Sequence, residues 1–541
     1  LEDFVMAAIV HQTNKITGIT YAYESISYWD KEKQQSRANR VCIGKVDPKT
    51  GEIVPTRKHK TNGEPVVLDT KPGPVPIIQA ARFFYGATYL FDEIGRKLGI
   101  TADLKQCFPE TYRQILSIAY YLILEDNNPL SRFPKWSALH KHPFGQDIPS
   151  QRSSELFASI TEEMRTQFFE RQGKRRVEKE YWAYDITSIS SYSQSLAQVK
   201  YGFNKDHDPL AQINLALLYG QQSGLPFYYR KLAGNIPDVK TVRNLLADLD
   251  YLGCQKIKLV MDRGFYSEEN VNGLFRDHLK FIMATKLHLT YVKAELAKVR
   301  NSIRNWDNYS QKYDLYAKTS TITWKYQQDR PYKGDQIKED RRMYLHIYFN
   351  SEKAVEDEKK HNLLLIALQN ELESGETKPV HEADYAKYFE VQKTPVRGVK
   401  ITAKQKAIDE AKMNYGYFAL ISNDIKDPIQ ALEIYRNKDL VEKAFGNLKE
   451  RLNLRRTLVS SEQSLDGKLF VEFIALIFLS YLKKKMQEHD LFKKFTLQGL
   501  LDEFDMIECF EQKGRERRWG EMTKKQIELY TLMGVDPPSL H

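Results

Sequence analysis

Apolar residues recur along this chain with two different periods, and the switches between them divide it into segments. From Ala7 to about Val54 short runs of Thr, Ile, Val and Tyr read as strands. They are broken at Lys15–Gly18 and at Asp47-Pro48-Lys49-Thr50-Gly51, a turn in which Pro fixes φ and Gly supplies φ > 0. Arg57-Lys58-His59-Lys60 and the Gly/Pro-rich stretch from Asn62 to Pro76 then read as a linker. From Ile77 to about Arg176 the spacing turns helical, as in Tyr112, Ile115, Leu116, Ile118, Ala119 and Leu122. A basic run, Arg171, Lys174, Arg175 and Arg176, closes this region.

Strand composition follows abruptly. The pattern predicts strands at Tyr181–Ile189, Ile213–Tyr219, Pro226–Arg230, Ile257–Asp262 and Lys280–Ala284, with helices at Val239–Leu252 and Glu268–Asp277. Three strands, then helix, strand, helix, strand, is the order of an RNase H-like α/β core. Residues from about Lys286 to Lys404 change character, with strands around Tyr313–Thr323 and Met343–Phe349 among charged helical stretches, and read as an insertion. A helix at Ala403–Met413, a strand at Tyr417–Ile421 and a long helix from about Lys438 to Leu454 complete the pattern, without an internal repeat. The expected organisation is a multidomain α/β protein: an N-terminal β-rich unit (1–75), a helical region (76–176), an RNase H-like core in two parts (177–286 and 404–490) split by a β-rich insertion (287–403), and a C-terminal region (491–541).

Composition changes this picture only at a few points. A chain of 541 residues exceeds what one core supports, so two to four domains are expected. With 42% hydrophobic and 28% charged residues, wholesale disorder is excluded. The balance of 81 Lys+Arg against 71 Asp+Glu, a net of +10, leans towards a polyanionic partner. Cys42, Cys107, Cys254 and Cys509 are scattered, with no C-x-x-C pair, which argues against a disulfide framework or zinc knuckle and suits a reducing cytoplasm. The most apolar stretch, Leu469–Leu482, contains Glu472 and Ser480 and falls short of the roughly 20 residues of a membrane span, so it reads as a buried helix. The N-terminus lacks the layout of a secretory signal, Met6 reads as the conventional start, and the expected location is the cytoplasm, with no membrane partner.

Three acidic residues stand out. Asp185 interrupts the strand-like Tyr181-Trp182-Ala183-Tyr184-Asp185-Ile186-Thr187; it is either a carboxylate paired with a metal or an edge-strand residue facing water. Asp262 ends the apolar Ile257–Met261 and precedes Arg263-Gly264-Phe265, where Gly264 is expected to allow a sharp turn; it reads as a strand-end ligand or as a turn and cap residue. On the late helix, Tyr435, Lys438, Glu442 and Lys449 share a face within about 60°. Val441, Phe445, Leu448 and Leu452 form a separate apolar stripe. The alternative for Glu442 is an ordinary solvated i,i+4 pair with Lys438. Histidines offer no competing cluster, His140 and His142 being the only close pair.

Taken in order, with spacings of 77 and 180 residues, these signals resemble the DDE-type transposases of bacterial insertion sequences, in the insertion-sequence family four group. That group's YREK signature is Tyr, two residues, Arg, three residues, Glu, six residues, Lys. Tyr435, Lys438, Glu442 and Lys449 stand at that spacing, with Lys438 in place of Arg, which keeps the charge and loses the bidentate fork. Asp262-Arg263-Gly264-Phe265 is similar to the second-Asp motif and Tyr184-Asp185-Ile186-Thr187-Ser188 to the first. Ile9-Val10-His11-Gln12-Thr13-Asn14-Lys15 and Tyr28-Trp29-Asp30 resemble the start of such transposases.

The resemblance implies metal-dependent cleavage and strand transfer on DNA. Two Mg²⁺ ions, with Mn²⁺ as substitute, would be held by Asp185 bridging both, Asp262 on one and Glu442 on the other. In-line phosphoryl transfer needs charge neutralised at the attacking and leaving oxygens, and carboxylates leave the coordination sphere open for this. The N-terminal unit and helical region are expected to bind double-stranded DNA at the element's terminal inverted repeats, and a homodimer to act on two DNA ends and a target. Tyr435, Lys438, Lys449, Arg263 and the basic run Arg171, Lys174, Arg175 and Arg176 are the expected DNA contacts; Trp324 is expected to stabilise a base flipped out near the cut. The protein would be bacterial and cytoplasmic, nucleoid-associated when bound to DNA. Rival readings are a catalytically silent domesticated DNA-binding protein, which the intact acidic triad disfavours, another RNase H-like DNA nuclease, and a carboxylate-pair sugar hydrolase, which leaves the basic face around Glu442 unexplained.

Overall fold

The computed structural model describes residues 7–15, 17–30, 35–48, 50–54, 80–126, 128–176, 180–193, 195–254, 256–330, 334–394, 398–452, 454, 456–457, 459, 461–512 and 517–539. Met6, the expected linker from Arg57 to Pro76 and the side chain of Arg176 lie outside the described residues. The chain forms two compact units, residues 1–76 and 77–541.

The first unit is an antiparallel sheet of β1 (Ala7–Thr13), β2 (Thr20–Asp30), β3 (Gln35–Val46) and β4 (Ile53–Val54), paired in chain order. The turn before β4 forms as its residues predict: Gly51 adopts φ +73° and donates to Asp47 O at 2.9 Å.

The second unit begins with β5 (Ala80–Phe84) and the helices α1 (Gly86–Lys97), α2 (Ile100–Cys107), α3 (Tyr112–Leu124), α4 (Phe133–Leu139), α5 (Ser150–Ser159) and α6 (Glu162–Arg176). In α3 the residues from Ile115 to Leu124 are all buried, because the helix is enclosed on more than its apolar stripe. Next come β6 (Tyr181–Ser191), β7 (Gln212–Gly220), β8 (Pro226–Ala233), α7 (Asp238–Tyr251), β9 (Lys258–Met261), α8 (Glu268–Arg276) and β10 (Lys280–Thr285). Each of these strands and helices coincides, within a few residues, with one predicted from the pattern. Burial explains the signal: β7 is buried along its whole length, and α7 buries Thr241, Val242, Leu245, Leu246 and Leu249 at helical spacing.

The segment expected as an insertion holds α9 (Thr290–Val299), β11 (Tyr309–Ser310), β12 (Leu315–Arg330), β13 (Asp335–Phe349), α10 (Ser351–Ser374), α11 (Glu382–Tyr388), β14 (Phe389–Thr394) and β15 (Gly398–Ala403). It is followed by α12 (Gln405–Lys412), β16 (Tyr417–Ser422), α13 (Pro428–Arg436), α14 (Asp439–Gly446), β17 (Arg456–Thr457) and α15 (Glu462–Glu488). The long hairpin of β12 and β13 extends the main sheet through β16, giving the order β11-β12-β13-β16-β10-β9-β6-β7-β8, with β17 beside β6. Within it β6, β9 and β10 run parallel. Helix α15 buries its apolar residues on all sides, as its sequence predicts, and joins the helices to the sheet in one continuous core. No helix among the described residues is long and apolar enough to cross a membrane.

The chain ends with α16 (Leu497–Asp505), β18 (Glu508–Gln512), β19 (Arg518–Trp519) and α17 (Lys524–Leu532). β18 returns to pair with β5, tying the C-terminal segment to the start of the unit.

Candidate active site

β6 and β9 pair in parallel from Tyr181 opposite Lys258 to Tyr184 opposite Met261. The next residue is an aspartate in each case: Asp185 continues β6, and Asp262 directly follows the last residue of β9. Asp262 keeps an extended backbone, φ −80° and ψ 170°, so Asp185 and Asp262 remain neighbours on the same face, with backbones about 5 Å apart. Strand register alone brings together two carboxylates that are far apart in sequence.

Their environments differ. Asp185 Oδ1 accepts from Ile186 N at 2.8 Å and lies 3.7 Å from Lys205 Nζ. Burial raises its carboxyl above the usual range, Asp262 adds to this, and Lys205, the Ile186 N–H and Lys438 only partly offset it. Burial also acts upward on Asp262, but the Tyr435 hydroxyl, Lys438 and the N–H and charge of Arg263 outweigh it and hold this carboxyl below the usual range. Tyr435 Oη and Arg263 N both donate to Asp262 Oδ1, at 2.6 and 2.8 Å. Oδ2 is turned towards Lys438.

Lys438 is the common neighbour. Its Nζ is 2.9 Å from Glu442 Oε1 and 4.0 Å from Asp262 Oδ2, and its side chain is only 15% exposed. Burial opposes its charge, yet Glu442, Asp262 and Asp185 together raise its pKa. Glu442 stands in the first turn of α14, 58% exposed, while Val441, Ala444 and Phe445 bury the other side of the helix. The structure therefore gathers Asp185, Asp262, Tyr435, Lys438 and Glu442. Among the described residues no three His, Cys, Asp or Glu side chains are grouped closely enough to hold a metal ion; Glu442 is bonded to the lysine instead.

Several expectations are corrected. The late helix is not continuous: Tyr435 belongs to α13, a joint at Asn437 and Lys438 follows, and after Gly446 the chain widens into a π-helical turn, Asn447–Arg451. Lys449 falls in that turn, and its Nζ meets Asp206 at 2.5 Å. Gly264 is not in the left-handed region, since Asp262 caps a 3₁₀ turn over Arg263–Phe265, and an added Cβ would meet only Asp238 at ordinary contact distance. Arg263 itself is exposed.

Outside this cluster, Arg175 is committed to the buried Asp103 through Nε and Nη2, at 3.0 and 2.7 Å, because α6 packs on α2. Arg171 and Lys174 are exposed. Trp324 is 7% exposed, donates its indole N–H to Asn272 at 2.8 Å and lines a cavity of about 530 Å³ with Glu268, Tyr291 and Lys325.

Sequence reasoning missed Lys205. It bridges Asp185 and Asp238, at 3.7 and 3.1 Å, and donates to Ile186 O. It lies in Asn204-Lys205-Asp206-His207-Asp208, a charged loop in which no periodicity tells where a side chain points.

Comparison with known proteins adds the family. Among curated proteins none matches the chain. A cryo-EM structure of a piggyBac transposase synaptic complex with hairpin DNA shares 11% identity over 77% of this chain and 70% of that one, with a TM-score of 0.33, a likeness that decides neither fold nor activity. The family model of the transposase DDE domain matches residues 181–478, more than half of the sequence and all of the cluster just described. The chain belongs to the transposases that carry a DDE domain.

Proposed function

We propose that this protein is an insertion-sequence transposase of the family four group. In this reading it binds terminal inverted repeats as double-stranded DNA, cleaves at them in a divalent-metal-dependent reaction and joins the ends to target DNA. The observation that carries the reading is the adjacency of Asp185, on β6, and Asp262, at the end of the parallel β9, with Lys438 linking them to Glu442. The strand order β8-β7-β6-β9-β10, three antiparallel strands extended by two parallel ones, supports an RNase H-like core.

The residues fit a divalent metal in kind. Their donors are hard carboxylate oxygens, as Mg²⁺ prefers, and half-buried Asp185 carries a charge its neighbours only partly compensate. Asp185, Asp262 and Glu442 would hold the ions. When bound, Mg²⁺ would neutralise charge at the attacking and leaving oxygens of a phosphodiester.

The chain's own groups do the remaining work. Tyr435 orients Asp262 by occupying Oδ1 and leaving Oδ2 to the site. Lys438 and Lys205 neutralise the carboxylates in the free protein and become available to phosphate once other positive charge arrives. Exposed Arg263, Arg171 and Lys174 would meet DNA backbone, as would Lys449 on leaving Asp206. Arg176 extends that basic run in sequence while Arg175 stays with Asp103, and Trp324 would stack a displaced base at the mouth of its cavity. The N-terminal sheet and helical region supply end recognition, and a homodimer brings two ends together on chromosomal DNA within the bacterial cell.

The test uses the DNA flanking the gene. Duplexes carrying its inverted repeats should be nicked in Mg²⁺ or Mn²⁺ and left whole in EDTA, with scrambled ends uncut. Equal cutting of scrambled ends would make the protein a general nuclease instead.

A further inference from the structure

Two aromatic rings in the loop that carries Lys205 have no place in the core. Tyr201 and Phe203, in the loop between β6 and β7, are 76% and 80% exposed. The backbone that carries them is nevertheless pinned. Lys200 and Gln212 exchange two backbone hydrogen bonds at 2.9 Å, and Gln212 Nε2 donates to Phe203 O at 3.0 Å. Asn204 Nδ2 donates to Ser190 Oγ at 3.2 Å. Between the rings, Gly202 approaches Gly234 so closely that a Cβ would lie 2.1 Å from its carbonyl oxygen. The backbone is held, and both rings stand out from it into solvent.

Position and charge say what would cover them. Phe203 is two residues from Lys205, at most about 7 Å of backbone, and Lys205 reaches Asp185. At about 3.4 Å per nucleotide along one strand, that backbone span together with the Lys205 side chain keeps the rings within a few nucleotides of Asp185. Exposed Lys200 adds positive charge, and in the free protein Asp206 pairs with Lys449 and Asp238 with Lys205. Aromatic faces beside cations suit a single nucleic-acid strand: bases stack on the rings and phosphates meet the lysines.

We infer that Tyr201 and Phe203 form a stacking platform for one or two unpaired bases of the DNA strand that enters the Asp185–Asp262 site. The inference rests on reading that site as DNA-cleaving. The platform favours ends that are frayed or unpaired beside the cut, because a paired base cannot offer its face to the rings.

The experiment uses the full chain, EDTA to prevent cleavage, and a short single-stranded oligodeoxynucleotide carrying one 2-aminopurine. Binding should quench the fluorophore. Phe203→Ala and Tyr201→Ala should each lose quenching and weaken binding by about ten- to a hundredfold, with an unchanged melting temperature, whereas Phe203→Tyr and Tyr201→Phe should behave as the parent. Alanine variants that bind and quench normally, or a parent that does neither, would overturn the platform. Nicking of end-containing duplex in Mg²⁺ is measured separately: a parent that quenches but never nicks contradicts the cleavage reading while the platform stands, and a parent that nicks but shows no loss in the alanine variants contradicts the platform alone.

Discussion

The hydroxyl of Tyr435 donates to Oδ1 of Asp262 at 2.6 Å, joining residues 173 positions apart. Charge-assisted bonds of this kind are the stronger ones, and this bond helps hold the Asp262 carboxyl below its usual range. A carboxyl lowered in this way adds stability at pH above its unfolded value, and that stability is lost as pH falls through the folded value. Tyr435→Phe should therefore move the acid limb of the nicking pH profile upward and slow nicking by about tenfold or more. An unshifted acid limb would separate Tyr435 from the function of Asp262.

The sequence showed the periodic elements well and their spatial assembly less well. Strands β6 to β10 and helices α7 and α8 were legible because burial on one or two faces imposes period or composition on them. Asp185 and Asp262 were legible as breaks in that pattern, polar residues in apolar strands. Lys205 was not, since a loop side chain is directed by contacts that no spacing encodes. The joint at Asn437 and the π turn after Gly446 were missed for a related reason: the helical spacing runs on through both, and only the backbone shows the change of phase. The insertion looked separate because its composition differs, yet hydrogen bonding makes its long hairpin part of the main sheet.

Arg175 and its exposed neighbours should behave differently. Arg175→Ala would leave Asp103 buried with its charge less compensated, lowering stability by about 2–3 kcal/mol in denaturant unfolding. Arg171→Ala with Lys174→Ala should leave stability within about 0.5 kcal/mol and reduce the salt dependence of DNA binding. A flattened salt slope for Arg175→Ala without loss of stability would reverse these assignments.

Glu472 supplies a pH test of the core. It lies in α15 at 1% exposure with neither side-chain oxygen hydrogen-bonded, and burial pushes its carboxyl up to about 8 despite Lys468 at 3.8 Å. Because the folded value is raised, its contribution is complete below the unfolded value near 4.5 and is lost as pH rises through about 8. Across that window stability should fall by up to about 1.4 kcal/mol per pH unit. Glu472→Gln should remove this dependence, making the variant more stable than the parent at about pH 8 and similar at about pH 5. Parallel stability curves for the two proteins would show that Glu472 does not titrate as its burial requires.

The central claim is that Asp185, Asp262 and Glu442 act as one site on DNA, and paired binding and nicking assays test it most directly. Duplex containing the element's ends is offered to the parent and to Asp185→Asn, Asp262→Asn and Glu442→Gln, each nearly isosteric and each removing one charge. All four proteins should shift the DNA in a gel. The parent alone should nick it in Mg²⁺, with each variant slower by several powers of ten, since loss of charge stabilisation at the reacting oxygens costs about 3–4 kcal/mol or more. Near-parental nicking by any folded variant would remove that carboxylate from the site and contradict the account.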